Sequence, residues 1–326
     1  QEVLRRVKAL TPHDLLLVLL SGGGSSLLSL PAEGVDMPAL KATTRELLRC
    51  GAPIQDMNTV RKHLSRIQGG RLAAACPARI LALVISDVTG DDPTHIASGP
   101  CAPDPTTYSD ALAILSRSGV AAPASVLGTL RDGRDGRLAE TPKPGDPLFR
   151  RVDNRVIATA HASLEAAAKF FRTQGIRPVI LGDSVKGEAR DVGMVYAALA
   201  KEIGTHGRPW KPPLALISGG EATVTVRGQG RGGRCSEFLL SLAIELEGMN
   251  GTWALAADTD GIDGSEDNAG AIATPDSLKR AARRGLGAEK LLAGNDAYGF
   301  FEALGDLVVT GPTRTNVNDY RAILMT

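Results

Sequence analysis

Six consecutive apolar residues at 15–20 lie between Asp14 and Ser21-Gly22, and a second apolar run at 80–85 ends at Ser86-Asp87. Short runs that are apolar at every position predict parallel strands buried on both faces. Apolar residues return at helical spacing over 37–48, 58–75, 110–116 and 123–130. Past a stretch dense in Gly, Pro, Asp and Arg (128–147), strands are expected at 156–158, 178–181, 214–217, 253–257 and 307–310. Helices are expected at 162–174, 188–203, 236–246, 275–284, 296–304 and 318–324. The alternating Thr and Val of 222–226 predict a half-exposed strand, in a hairpin with 214–217. Strands alternating with helices predict an α/β chain with mainly parallel sheets.

A chain of 326 residues is too long for one ordinary core, so two domains are expected. The breaker-rich stretch at 128–147 puts the boundary there or just after. The first domain then covers 1–148 and the second 149–326, with 149–204 able to pack with either. Only 4% of residues are aromatic, which argues against a stacking surface for single-stranded nucleic acid. A net charge of +1 gives no electrostatic pull toward nucleic acid or membrane. Cys50, Cys76, Cys101 and Cys235 lack metal or disulfide spacing and read as free thiols of a reducing cytoplasm. No apolar run approaches the ~18 residues of a membrane span. The chain opens at Gln1 on an apparent helix, EVLRRVKAL, and reads as lacking its front end.

Four polar, glycine-marked segments follow apolar runs: 21–26, 218–221, 258–261 and 310–313. Strand ends of this kind are where open α/β sheets place ligands, and glycine lets backbone N–H groups approach a phosphate. Ser21 to Ser26 lacks the lysine of a P-loop, so it does not support Walker-type chemistry. Gly228 to Gly233 fits G-x-G-x-x-G, with Asp258 downstream where a dinucleotide-binding acid would stand. It reads as a nicotinamide loop, as a phosphoryl-transfer loop with Arg231 and Arg234, or as a plain hairpin loop. Lys62 reads as an anion ligand at a helix start or as part of a solvated basic turn. Asp258, Asp260, Asp263, Glu266 and Asp267 crowd one stretch, a density of hard oxygen ligands that suits Mg²⁺ and also suits turns. Asp87, at the end of a buried strand, could accept a hydroxyl proton or hold metal. The histidines are too scattered for a zinc site.

Taken in order, LLSGGGSSLLSLP, NTVRKHLSRIQGGRLA, ISDVTGDDPTHIASGP, SGGEATVTVRGQGRGGR, ALAADTDGIDGSEDNAGA and LGDLVVTGPTRTNVND closely resemble the glycerate 2-kinase family with its C-terminal MOFRL domain. The resemblance implies a Rossmann-like first domain and a smaller, mixed-sheet MOFRL-type α/β domain. It implies transfer of the γ-phosphoryl of ATP, with Mg²⁺, to the 2-hydroxyl of D-glycerate. Arg234 and Asp87 would be catalytic. Ser21, Gly22, Gly23, Gly24, Ser25, Lys62, Gly219, Gly220, Glu221, Gly230 and Asn316 would bind substrate or phosphate, and Asp258 and Asp260 the metal. ATP and glycerate are the expected partners, with no nucleic acid or membrane and with room for a homodimer. The competing readings are a hydroxypyruvate reductase with NAD(P)H at 228–233 and an inactive nucleotide-binding relative. Relatives carry a front segment with a Gly-Lys turn; without it the first sheet should show an unpaired edge and an open apolar face. Many also have Asn-Gln-Glu where this chain has Cys235-Ser236-Glu237, and glycine where it has Arg314.

Overall fold

A computed structural model of the chain describes every residue except Thr89. It separates into two units, Gln1–Ile157 and Ala158–Thr326, so the segment 149–204 is divided between them. Among the described residues no helix is long and apolar enough to cross a membrane.

In the first unit β1 (Leu15–Leu20), β2 (Arg79–Ile85) and β3 (Val152–Ala158) form a sheet in that order. β1 and β2 run parallel, with Leu15 opposite Arg79 and Leu20 opposite Val84. Leu16, Val18 and Leu20 pack on a core with the buried Ile80, Ala82 and Val84. Burial of β1 on both faces does not occur: Leu15, Leu17 and Leu19 are exposed at 62%, 52% and 71%. β1 is an edge strand and only one of its faces meets the core, which matches the open apolar face. Helices Met37–Arg49, Ile54–His63, Tyr108–Arg117 and Ala124–Arg134 build a second core around Val60, Leu64, Leu115 and Leu130. The single helix expected at 58–75 is broken into Ile54–His63 and Arg71–Ala75. Ser65 Oγ accepts the N–H groups of Ile67 and Gln68, satisfying them in a turn instead of a continuing helix.

This break sets the place of Lys62. Its ammonium lies inside the unit, 3.0 Å from Asp104 Oδ1, with the two side chains 2% and 0% exposed. Lys62 is therefore not presented to an anion, because the buried Asp104 already consumes its charge. His63 beside it faces acceptors with both ring nitrogens: Nδ1 lies 2.8 Å from Thr59 O and Nε2 3.0 Å from Glu140 Oε1. Burial raises the Glu140 pKa, but His63 and the N–H groups of Thr141 and Tyr108 outweigh it and hold the carboxyl down at about 2.

The second unit holds β4 (Arg177–Val185), β5 (Leu214–Gly220), β6 (Thr252–Asp258), β7 (Gly270–Ala273), β8 (Leu307–Val308) and β9 (Asp319–Met325). Their order is β4-β5-β9-β6-β7-β8, so the second sheet is the larger, contrary to expectation. Only β4 and β5 are parallel; the other ladders are antiparallel, so mainly parallel pairing does not hold here. The helix expected at 318–324 is β9, which fills the slot between β5 and β6 and pairs along both edges. With β4 and β9 flanking it, β5 has no free edge for a hairpin, and 222–226 forms no strand. Thr223 instead bridges to Glu188. Helices Ala189–His206 and Arg234–Leu246 pack on the sheet, Tyr196 meeting Phe238 edge to face at 5.4 Å.

Replacing Lys62 with Met should destabilise the first unit by about 3–5 kcal/mol, because it leaves the Asp104 carboxylate buried without its cation. Denaturant unfolding of the full chain measures this, and a loss below about 1 kcal/mol would show that the pair is not structural.

Candidate active site

Strand register gathers the expected segments of the second unit at one sheet edge. β5 ends at Gly220, β6 ends at Asp258 and β9 begins at Asp319; Asp319 stands opposite Gly220 on one side and Asp258 on the other. The 310–313 segment is tied on by Thr313, whose N–H donates to Asp260 O at 2.9 Å and whose hydroxyl donates to Thr259 O at 2.6 Å. Arg234, the first residue of helix Arg234–Leu246, reaches this edge. Its Nε donates to Asp319 Oδ1 and its Nη2 to Asp258 Oδ2, each at 2.6 Å. Nη1 lies 3.8 Å from the exposed Glu221 and makes no hydrogen bond among the described residues. Behind Asp319, the buried Arg321 donates to Asp319 Oδ2 and, at 3.2 Å, to Gly219 O.

The electrostatics follow from this packing. Burial works against the charge of Arg234, but Asp319 and Asp258 outweigh it and hold its pKa above the ordinary guanidinium value. Burial pushes Asp258 up to about 7; Arg234 pulls against it, and the Asp260 and Asp319 carboxylates push with it. Both Asp258 oxygens are engaged, Oδ1 accepting the Asp260 N–H at 3.1 Å. Asp260 accepts the Ile262 N–H through Oδ1 at 2.8 Å and has its other oxygen free among the described residues. No group of three or more His, Cys, Asp or Glu side chains among them could enclose a metal ion. Asn316 accepts the Asn318 N–H at 2.9 Å and so holds the turn into β9.

The Gly228–Gly233 loop has a structural explanation. Arg227 and Gly228 donate their N–H groups to Asn295 Oδ1, Gly230 donates to Gly294 O and Arg231 to Asp296 Oδ1. A Cβ on Gly230 would stand 2.5 Å from that of Asp296, and one on Gly233 would stand 2.2 Å from Asp263 Oδ1. The helix N-terminus is also occupied: Asp263 accepts the N–H groups of Cys235 at 2.9 Å and Ser236 at 2.7 Å. The glycines serve close backbone packing, and the N–H groups of Gly228, Gly230, Arg231 and Gly233 are spent within the protein. Arg231 is likewise committed, 2.7 Å from Glu302 and over the Tyr298 ring.

In the first unit the Ser21–Ser26 turn and Asp87 follow β1 and β2 at the same, carboxyl-terminal edge of the sheet. Gly24 packs so closely on the 96–98 turn that a Cβ would stand 2.6 Å from that of Ala97. That turn holds Ala97 and Ser98 at φ 50° and 59°, a strained conformation of the kind that collects at functional sites. Ser25 Oγ lies 2.9 Å from Ser98 Oγ, and Ser98 Oγ donates to Asn58 Oδ1 at 3.3 Å. Asp87 is half-buried with no basic partner among the described residues, and burial raises its pKa.

Residues 1–131 match the family described as a domain of unknown function, DUF4147, and residues 214–319 match the MOFRL family. A D-glycerate 2-kinase of Thermotoga maritima is 42% identical over 320 residues, covering 98% of this chain and 74% of that protein. A crystal structure of glycerate kinase from the same organism matches with a TM-score of 0.89 at 41% identity, covering 100% of this chain and 76% of that one. The chain belongs to the glycerate 2-kinase family. A family relative from Agrobacterium vitis, named "Putative hydroxypyruvate reductase", is 49% identical over 328 residues, covering 100% of this chain and 73% of that protein.

Within this glycerate 2-kinase fold, Arg234, Asp258, Asp260, Gly219, Gly220 and Glu221 come together at one sheet edge, while Gly230 and Asn316 serve local packing. Ser21 to Ser25 and Asp87 share the edge of the other sheet, and Lys62 leaves the set. Sequence reading missed Asp319, Arg321 and Ser98, and it offered Asp263 as a metal ligand where the structure spends it on the helix start. Asp319 and Arg321 carried a signal, since residues two apart share one face of a strand, but the helix reading of 318–324 hid it.

Protonating Asp258 makes the Arg234 cluster one unit more positive, so if ADP binds at this cluster its affinity should fall as pH rises through about 7. Asp258→Asn should lose this component. Calorimetric titration of both proteins across that range isolates it, because the nucleotide's own titration cancels in the difference. Identical pH profiles would remove Asp258 as the source.

Proposed function

We propose that the chain is a glycerate 2-kinase, transferring the γ-phosphoryl of ATP to the 2-hydroxyl of D-glycerate to give 2-phosphoglycerate and ADP. The observation that carries this reading is the setting of Arg234, in a chain whose full-length relatives include a named D-glycerate 2-kinase. Two carboxylates hold the guanidinium rigid through Nε and Nη2, leaving Nη1 to meet the charge that spreads over phosphoryl oxygens in the transition state. Asp87 takes the proton of the attacking hydroxyl. Its environment, half-buried and without a cation, favours a carboxylate that accepts protons more readily than one in water.

Mg²⁺ bound with the nucleotide would offset phosphate charge. Such an ion is held mainly by phosphate and water oxygens, with one or two carboxylates added. In this reading the free oxygen of Asp260 would help hold it, whereas Asp258 acts through Arg234. Two acidic strand-end residues that look equivalent in sequence thus take different roles.

The reductase reading has support from the name of the Agrobacterium vitis relative. It needs a nicotinamide pyrophosphate at Gly228–Gly233, where N–H groups are already bonded to Asn295, Gly294 and Asp296. The loop also lies well past the end of β5, not in the tight turn directly after a strand that dinucleotide folds use. The kinase reading is the better supported.

ADP release with D-glycerate, run beside NADH oxidation with hydroxypyruvate, tests the choice; NADH turnover without ADP release would overturn it. Arg234→Ala should lower kcat by ~10²-fold or more, with KM for glycerate moving much less. Asp260→Asn should raise the Mg²⁺ concentration needed for half-maximal turnover, whereas Asp258→Asn should leave that concentration in place and lower kcat. The same Mg²⁺ shift in both would return Asp258 to the metal.

A further inference from the structure

We propose that Arg61 binds the carboxylate of the hydroxy-acid substrate, in a cavity of about 330 Å³ between the glycine turn and helix Met37–Arg49. The inference rests on the kinase reading and names which part of the first unit reads the acid. Arg61 stands in the last turn of helix Ile54–His63 on the wall of this cavity. Its one polar partner among the described residues is the neutral Asn58 Oδ1, at 3.3 Å. Among the described residues no carboxylate pairs with it and none lines the cavity, which Lys41 and Arg45 also border. A partly buried guanidinium without an anion is unfavourable, and burial accordingly lowers its pKa. A bound carboxylate would satisfy it through the fork geometry that arginine offers.

Hydroxyls on the cavity wall complement a hydroxylated acid, and Met37, Leu40 and Leu48 pack beside them. Ser26 Oγ donates to Gly23 O, Ser29 Oγ to Ser25 O and Thr44 Oγ1 to Leu40 O. With their protons committed to backbone, these hydroxyls keep lone pairs that accept from substrate O–H groups. Asn58 also accepts from Ser98, which contacts Ser25, so one polar chain fixes Arg61 relative to the serine turn. A volume of about 330 Å³ is at the small end for ligand pockets, suited to a three-carbon acid and not to a nucleotide. The anion could in principle be a carboxylate or a phosphate; size and the hydroxyl acceptors favour the carboxylate.

The test uses the full chain with Arg61→Gln and Arg61→Lys, both checked for an unchanged melting temperature. Calorimetry with D-glycerate and with uncharged glycerol reads binding without ATP, and steady-state kinetics read each KM. D-Glycerate affinity should fall roughly 10- to 100-fold in Arg61→Gln, as for loss of a charged hydrogen bond. Arg61→Lys should recover only part of it, glycerol binding should not respond, and KM for ATP should stay within about twofold of wild type. If KM for ATP rises instead, Arg61 holds phosphate and the proposal is wrong. If D-glycerate binds both variants as it binds wild type, the proposal fails while the kinase reading stands. A wild-type protein that neither binds D-glycerate nor releases ADP with it overturns the kinase reading and this proposal together. Binding that depends on Arg61 without ADP release overturns the kinase reading alone.

Discussion

Arg321 heads the fully buried side chains by size, and a guanidinium inside a protein is tolerable only when paired. Its partner is Asp319, two residues earlier on β9, and that pairing determines much of the second unit. Asp319 turns its other oxygen to Arg234, and Arg234 in turn holds Asp258. One chain of alternating charges thus links β9, the start of helix Arg234–Leu246 and the end of β6, while Gly219 O on β5 receives the second donor of Arg321. The Arg321 guanidinium also lies 5.2 Å from the centre of the Phe238 ring, tying the polar chain to the apolar core. Removing Asp319 would leave the buried Arg321 without its counter-ion, whereas removing Asp258 would leave Arg234 still paired with Asp319.

The glycines of this protein divide by physical role more than by motif. At Gly228, Gly230 and Gly233 the absence of a side chain lets one loop lie against another, and the N–H groups are consumed there. At Gly24 the close approach is to Ala97, in a turn that also holds two non-glycine residues at positive φ. There the strain sits beside hydroxyls and an arginine without a carboxylate, the setting in which stored strain has a functional use. A dinucleotide fingerprint is therefore weaker evidence for a cofactor than the bonding of its N–H groups. This distinction weighs the two names that the family's members carry.

Long motifs made the family legible from the chain, and alternating strands and helices made the α/β class legible. The four polar strand ends were readable because glycine, serine and aspartate at the end of an apolar run have few other uses. Three of them do meet at one edge. The identity of Arg234 as the central cation also came from sequence, through its place at a helix start. What failed was local. Residues 318–324 have an apolar content that suits helix or strand, and 222–226 alternates as a strand but finds no open edge. Lys62 looked free because its partner Asp104 is far along the chain.

The sequence by itself determined the class of fold, the family and the residue types offered to an anion, because these depend on short-range pattern and composition. Tertiary structure decided which charges are spent and which remain. Asp104 takes Lys62, Asp263 takes the helix N-terminus, Asp258 and Asp319 take two nitrogens of Arg234, and Arg61 is left without a carboxylate. Those pairings join residues from about 25 to about 85 positions apart, apart from Arg61 and its near neighbour Asn58, and no local pattern encodes them. Burial then sets their strength, since the same pair in water would contribute little.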